Sequence, residues 1–201
     1  HWMDISEVLI KDVNIAVNME VANMLNIIHV DFYRIGNTAF NLDNGASIAL
    51  QSSYVEDAET NYAWIKSTTG ASTFYMMNSE FGSLSSLGIG INIQDDASYA
   101  ELRNSNLWGL DYNIYSQDDS EVFVTAGFLQ RANTFSIFQT GLSKISVVNS
   151  SGDFSSADLS IADPTNVYFN VFSNDDQSTM FGSHTQTDQN VFIIDNGAVT
   201  K

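Results

Sequence analysis

The chain contains no cysteine among its 201 residues. Disulfide bonds, thiolate catalysis and cysteine-ligated metal sites are therefore excluded. Proline occurs once, at Pro164. Charged residues make up only 15% of the chain, against about 25% in an average globular domain. Ser, Thr, Asn and Gln supply most of the polarity instead. This composition indicates a β protein that is extracellular or on a virion surface.

Basic residues are also scarce, with 7 Lys and Arg against 24 Asp and Glu and a formal net charge of -17. Such a surface repels phosphate backbones and anionic lipid surfaces, and the basic residues are scattered along the chain. No apolar run approaches the ~20 residues of a membrane-spanning helix, and the first residues do not have the pattern of a signal peptide. We therefore expect neither nucleic-acid binding nor membrane insertion.

The residues that are abundant in the chain give many strand signals. Apolar residues make up 44% of the chain and aromatic residues 12%, enough to fill a core. From Asn41 onward, short strand-like runs alternate with polar, Gly-containing turns at spacings of about ten residues. The pattern predicts an all-β fold: a multi-stranded antiparallel sandwich, jelly-roll-like, or a repetitive β head.

The segment 4–40 differs from the rest of the chain. In "VNIAVNMEV", Val13–Val21, apolar residues alternate with Asn, Ala and Glu, which favours a half-buried strand. A short helix is the alternative, because apolar residues there also recur at helical spacings. We expect residues 1–3 to be an expression remnant, residues 4–40 to serve oligomerisation or attachment, and residues 41–201 to form the β head.

Two features suggest how the chain turns and repeats. "DNG" occurs at Asp43–Gly45 and Asp195–Gly197 and predicts type I′ hairpins, because Asn-Gly supplies two positive-φ positions. "NLDNGASIAL" at Asn41–Leu50 resembles "NIQDDASYAEL" at Asn92–Leu102. The resemblance indicates either an internal duplication or the chance recurrence of a turn followed by a strand.

Three pairs of adjacent aspartates follow Gln or Asn. Neighbouring carboxylates on a strand point apart, so one pair cannot supply both the acid and the base of a glycosidase. Turn formation is the main interpretation, since Asp tolerates left-handed backbone. Calcium binding is the alternative, with calcium as the one cofactor considered, although no EF-hand spacing is present. The candidate metal ligands are Asp95, Asp96, Asp118, Asp119, Asp175 and Asp176.

Four aromatic residues beside polar turns are candidate ligand-binding residues: Trp108, Trp64, Tyr112 and Tyr115. Aromatic rings rimmed by amides and carboxylates stack on sugars, whereas the alternative is ordinary packing at the edge of a β core. Trp108 is the strongest candidate, because Asn-rich turns and Gly109 around it suggest a loop tip.

These observations favour a non-catalytic recognition or structural module of a fibre or spike, such as a phage or virus tail-fibre tip or a bacterial adhesin. We expect it to bind a cell-surface glycan or protein receptor and to form a homo-oligomer, with a homotrimer favoured. No catalytic residue is assigned. The alternatives are a calcium-supported carbohydrate-binding β-sandwich of a secreted system and a glycan hydrolase that uses the Asp pairs.

Overall fold

A computed structural model describes residues 2–95, 97–152, 159–163, 166–174, 179–182, 192–195 and 198–200. It forms a parallel β-solenoid, in which all strands belong to one sheet wound into coils of about 23 residues. Successive coils pair in parallel: Met24 lies beside Ser47, and Ser47 beside Thr73. The all-β prediction is confirmed. The antiparallel sandwich is wrong, because strands pair with the next coil and not with their neighbours in sequence.

Each coil contributes a strand to each of three faces. The first face contains β1 (Trp2–Ser6), β3 (Met24–Ile28), β5 (Ser47–Gln51), β8 (Thr73–Met77), β11 (Tyr99–Arg103), β14 (Glu121–Thr125) and the first parts of β17 (Lys144–Gly152) and β19 (Val167–Asn174). The second face contains the first parts of β2 (Leu9–Met19) and β4 (Asp31–Leu42), then β6 (Tyr54–Ala58), β9 (Glu80–Gly82), β12 (Asn106–Trp108), β15 (Phe128–Gln130) and the end of β17.

The third face contains the remainders of β2 and β4, then β7 (Asn61–Ile65), β10 (Ile89–Ile93), β13 (Tyr112–Ser116), β16 (Phe135–Gln139) and β18 (Leu159–Ile161). After the last parallel pairing the direction changes. β19, β20 (Thr179–Gly182), β21 (Phe192–Asp195) and β22 (Ala198–Thr200) pair antiparallel in succession. No helix among the described residues is long and apolar enough to cross a membrane.

The core is a set of columns that run along the solenoid axis. On the first face every second residue points inward, so side chains in equal register stack from coil to coil. Inward residues on all three faces are almost fully buried. Two first-face columns contain Leu25, Ile48, Phe74, Ala100, Val122 and Ile145, and Ile27, Leu50, Met76, Leu102, Val124 and Val147.

Aromatic side chains fill the widest part of the core. The Phe81 ring lies 5.3 Å from Tyr62 and 6.1 Å from both Phe40 and Phe74, between ring centroids. Tyr62 is fully buried, and its hydroxyl donates to the carbonyl of Gly82 at 2.6 Å. This bond satisfies the polar end of a ring that otherwise packs as an apolar group. It also connects the core to the second-face strand β9.

The corner between the first and second faces repeats in most coils. Asn78 and Asn104 each adopt a φ of 48°, and each is followed by a buried serine. The hydroxyl of that serine accepts a hydrogen bond from the neighbouring coil, as in Ser53 N to Ser79 Oγ at 3.1 Å and Ser79 N to Ser105 Oγ at 3.3 Å. It also donates to a carbonyl two residues back, as from Ser79 to Met77 at 2.8 Å. We call this arrangement the serine ladder.

The N-terminal segment forms the first coils of the same solenoid. Residues 13–19 lie in β2, so the strand prediction is confirmed there and the helical alternative is wrong. The boundary predicted at residues 40–41 falls inside β4, and Trp2 and Met3 lie in β1.

The two "DNG" turns have different outcomes. Asn44 and Gly45 have positive φ values of 57° and 79°, as predicted, but they join β4 to β5 at a coil corner. These two strands do not pair with each other, so the hairpin prediction is wrong at this position. Near the C-terminus, Asp195 of β21 lies opposite Ala198 of antiparallel β22, which confirms a hairpin there.

The sequence resemblance between the segments at Asn41 and Asn92 corresponds to the coil repeat. Both asparagines pair with Trp64, one from each side. The two segments therefore occupy equivalent positions two coils apart.

Candidate ligand-binding surfaces

Trp108 lies on the second face as the last residue of β12 and is half-buried. The predicted loop tip is therefore wrong, because residues 106–108 pair with β9 on one side and β15 on the other. Trp108 belongs to an outward column in which Glu56, Gly82, Trp108 and Gln130 follow one another in successive coils. The side chain is thus presented by a sheet with strands on both sides.

The indole ring of Trp108 lies across Gly82 in the preceding coil. A Cβ atom on Gly82 would overlap Cε2 and Cζ2 of the ring, so the indole occupies space that any other residue would fill. Gly82 is needed here for the close approach of a ring to the backbone. The indole therefore packs against the backbone of Gly82, and part of the half-buried side chain stays exposed.

Hydrogen bonds fix the orientation of this ring. The indole Nε1 donates a short hydrogen bond to Glu80 Oε1. Asn106 Nδ2 donates to the other oxygen, Glu80 Oε2, at 3.4 Å. A ring that is seated on a glycine and held at its nitrogen has little rotamer freedom left to lose on binding. We call Trp108 together with Gly82, Glu80 and Asn106 the Trp108 platform.

Tyrosines and carboxylates continue the second face beyond the platform. Tyr54 pairs with Glu80, and its ring makes an edge contact with Tyr33 at 5.8 Å between centroids. Burial and the neighbouring carboxylates of Glu56 and Glu80 raise the pKa of Tyr54. Its hydroxyl therefore stays protonated. Carboxylates and rings alternate across this face, as Asp31 beside Tyr33 and Tyr54 beside Glu56.

Trp64 lies on the third face, away from the platform. Lys66 Nζ lies 4.1 Å from the centroid of its ring, a cation–π contact that covers one face of the indole. In register on either side are Asn41 and Asn92, both almost fully buried. Trp64 is thus enclosed by neighbours, and the structure supports packing at this position.

Tyr112 and Tyr115 are brought together on the third face. They join Phe135 and Phe138 of the next coil, and the Tyr115 and Phe138 rings stack with centroids 4.6 Å apart and planes 7° apart. The Tyr112 ring contacts those of Tyr115 and Phe138 edge-on at 5.4 and 6.1 Å. Tyr115 and Phe138 therefore each pack one ring face against the other, which favours a packing role over a role as a ligand platform.

A notch of about 240 Å³ on the first face combines charged and aromatic side chains. Its lining contains Ala49, Tyr75, Met77, Glu101 and Arg103. Glu101 is only 9% exposed, and its Oε1 accepts from Arg103 Nε at 2.6 Å. Sequence analysis did not single out this pair, because the spacing of two along a strand is too common to signal a site.

The residues that support Trp108 were likewise missed. Glu80 and Gly82 belong to "EFG", which is too short to be recognised as a strand. Only the coil repeat, which puts Asn106 beside Glu80 and Trp108 beside Gly82, reveals that they adjoin Trp108. That repeat could have been found from "NS", which precedes both segments at Asn78–Ser79 and Asn104–Ser105.

Asp95, Asp118 and Asp119 are located at the corner that leads from the third face to the first. Asp95 and Asp118 have φ values of 70° and 58°, which confirms turns with left-handed backbone. Asp95 Oδ2 accepts from Ser67 N at 3.2 Å, and Asp118 Oδ2 accepts from Asp95 N at 3.3 Å. Each carboxylate thus caps the turn of the preceding coil. Asp119 is exposed beside Asp118. Asp96, Asp175 and Asp176 lie outside the described residues.

Asp43 occupies the same corner, closer to the N-terminus, and is nearly buried. Although burial opposes ionisation, its oxygens accept from Thr68 N, Thr68 Oγ1 and Asn44 N at 2.8–2.9 Å, and these bonds lower the pKa of Asp43. Within the described part of the chain, no three carboxylate or imidazole groups gather in a way that could hold a metal ion. The described carboxylates of this corner therefore bind backbone and hydroxyl groups.

Comparison with protein-family models, with curated proteins and with solved structures gave no match for this chain. Its function must therefore be argued from the side chains that the solenoid presents.

Proposed function

We propose that the chain is a non-catalytic recognition module of a fibre or spike that binds a cell-surface glycan on its second face. The observation that carries the proposal is the Trp108 platform. A partly exposed indole that packs against a sheet strand, with carboxylate and amide groups hydrogen-bonded at its edge, suits the apolar C–H face and the hydroxyl groups of a sugar.

The solenoid supports this proposal through rigidity. The platform stands on β12, which is hydrogen-bonded on both sides, and beneath it Leu107 and Phe81 are fully buried. Sites on such elements hold their geometry better than sites on loops. Glu56 and Gln130 lie one coil to either side of the Gly82–Trp108 pair, so polar groups flank the ring in the axial direction.

The test compares two tryptophans. Trp108→Ala removes the platform, whereas Trp64→Ala removes an indole that Lys66 covers on another face. On a glycan array followed by titration of the strongest binder, we expect Trp108→Ala to weaken binding at least about tenfold, since ring stacking on a ligand is worth roughly 1–3 kcal/mol. Trp64→Ala should retain the wild-type affinity.

Circular dichroism of both variants should show that the fold is retained. Equal loss of binding in the two variants would mean that both substitutions act by destabilising the fold and not by removing a contact with the ligand. Absence of binding by the wild-type protein on a broad array would refute the glycan-binding function.

The fibre or spike setting includes an extracellular or virion-surface location and a homotrimer as the assembly. The acidic composition, with polarity supplied mainly by Ser, Thr, Asn and Gln, supports the location. Light scattering tests the assembly: a trimer has three times the chain mass of 22.2 kDa, and a monomer at physiological concentration would contradict it.

A further inference from the structure

We infer that the ligand of the Trp108 platform is a glycan that carries a free amine, so that an ammonium group meets the indole and the carboxylates beside it. The inference rests on the proposed function and adds the chemical class of the sugar. It depends on three properties of the second face: the exposed part of the indole, the negative charge at its edge, and the fact that no ion pair among the described residues includes that charge.

The indole face is the first property. The outward face of an aromatic ring carries negative partial charge, and a cation within about 6 Å of the ring centroid is attracted to it, most strongly for tryptophan. The contact with Gly82 and the bond to Glu80 hold the ring in one orientation, and part of the side chain is exposed. Trp64, by comparison, already receives the ammonium of Lys66 at 4.1 Å. Trp108 has the same capacity with no lysine over it among the described residues.

The edge of the platform is the second property. Glu80 adjoins the indole directly, and Glu56 pairs with Gly82, beneath the ring. The Glu80 carboxylate is oriented by two neutral donors, Trp108 Nε1 and Asn106 Nδ2. Neutral donors fix the positions of these oxygens and leave their negative charge uncompensated. A ligand ammonium that lies against the ring would complete a charge-assisted hydrogen bond with one of them.

Electrostatics on this face is the third property. The ion pairs of the described residues are Arg34–Asp12, Lys66–Asp43 and Arg103–Glu101, and none of them includes Glu56 or Glu80. Lys11 lies outward on the same face but is separated from Glu56 by the coil of Tyr33. With a formal net charge of -17, the molecule repels sugars that carry carboxylate or sulfate groups. The same field attracts a cationic sugar.

The experiment compares two probes that differ only in the amine: oligomers of β-1,4-linked glucosamine and the same oligomers fully N-acetylated. Titration calorimetry of the whole chain at pH 6 keeps the glucosamine amine protonated. We expect the glucosamine oligomer to bind at least about tenfold more tightly, as a desolvated cation–π contact with a carboxylate partner implies.

Glu80→Gln is the decisive variant, because a glutamine keeps an oxygen that accepts from the indole Nε1 and removes the charge, with the loss of only the 3.4 Å bond from Asn106 Nδ2. It and Glu56→Gln should each reduce the ratio of the affinity for the amine oligomer to the affinity for the N-acetylated oligomer severalfold. Glu121→Gln, an exposed glutamate on the first face, is the matched control and should leave the preference as in the wild type.

The outcomes separate the two proposals. Equal affinity for both probes, with loss of both on Trp108→Ala, would overturn the amine inference and leave glycan binding intact. A preference for the amine that survives both glutamine variants would also overturn it, since the charge would then act from elsewhere. Failure of both probes while another glycan binds at Trp108 would refute the amine class alone, and failure of all glycans would refute the function.

Discussion

At the scale of single residues, the local structure depends on positions where one missing atom or a few hydrogen bonds determine how neighbouring groups pack. Gly82 matters for the side chain that it does not have, because the missing Cβ leaves space for the Trp108 indole. Asp43 matters for three hydrogen bonds that a nearly buried carboxylate accepts. These residues define two predictions about local structure that do not require a ligand.

Gly82→Ala should displace the Trp108 ring and lower the free energy of unfolding by about 1–3 kcal/mol, because the new methyl group overlaps ring atoms. Tryptophan fluorescence should show a more solvent-exposed emission, and glycan binding should fall as in Trp108→Ala. Gly36→Ala is the control: its φ is not positive and its added Cβ meets no atom closer than 3.5 Å. If Gly82→Ala retains the wild-type emission and stability, the indole does not occupy this space.

Asp43→Asn should lower the free energy of unfolding at pH 7 by about 1–3 kcal/mol, the cost of hydrogen bonds that have lost their charged acceptor. The pKa of Asp43 is lowered in the folded protein, so its stabilising effect is fully present above the pKa of the unfolded chain and is lost as pH falls through the folded value. The difference between wild type and variant should therefore shrink in acid.

Urea denaturation at several pH values measures this difference. Asp119→Asn serves as the control, because Asp119 is exposed at the neighbouring turn and has no side-chain hydrogen-bond partner among the described residues. A stability difference for Asp43→Asn that stays constant from pH 7 to pH 3 would contradict the assigned role.

At the scale of elements, the unit that matters is the coil, and the sequence revealed only part of it. Strands of the first and third faces were largely predicted, because their inward residues alternate with polar ones, as in Ile89–Ile93. The second-face strands β6, β9 and β12 were missed. Two of them have three residues each, and "EFG" or "NLW" shows no alternation that can be measured.

Missing one strand in three had a consequence for topology. A period of two predicted strands and a turn resembles a β-hairpin, which predicts antiparallel pairing. A period of three strands instead forms one coil, whose strands pair in parallel with those of the neighbouring coils. The candidate site was likewise predicted only in part. Trp108 was identified from its composition, but Glu80, Gly82 and Glu56 reach it only through the coil repeat, which local patterns do not contain.

The serine ladder connects coils, and Ser79 tests it. Ser79→Ala removes the acceptor of the Ser53 N–H and the donor to the Met77 carbonyl, both at a buried corner. We expect a loss of about 1–3 kcal/mol in the free energy of unfolding, because the Ser53 amide is left without a partner. Ser85→Ala, at an exposed position, should change it by less than about 0.5 kcal/mol. Chemical denaturation distinguishes the two, and equal effects would mean that the ladder does not hold the corner.

At the scale of the whole molecule, charge is the dominant property. A formal net charge of -17 with so few ion pairs makes the folded chain repel itself. The repulsion is spread along the solenoid and is not concentrated in one described cluster. Dissolved salt should therefore reduce it by ionic screening.

Sodium chloride should therefore raise the melting temperature, with most of the increase between low salt and physiological salt, where the screening length falls to about 8 Å. Thermal denaturation in sodium chloride, and in calcium chloride at equal ionic strength, measures the effect. Equal increases would show screening alone, whereas a much larger increase with calcium would point to specific sites at the acidic corner. A melting temperature independent of sodium chloride would contradict the repulsion.

The stacking of coils has a further consequence for how such a molecule can change in length. Each coil adds about 4.8 Å along the axis for about 23 residues of chain, because neighbouring strands are separated by one hydrogen-bonding distance. The inward columns repeat from coil to coil and the serine ladder repeats in most coils, so the insertion or removal of one whole coil can preserve the same type of contact between its neighbours. Duplication of a single coil can therefore change the length of the molecule in fixed steps. The distance between a recognition surface on one coil and a surface on another is then set by the number of coils between them.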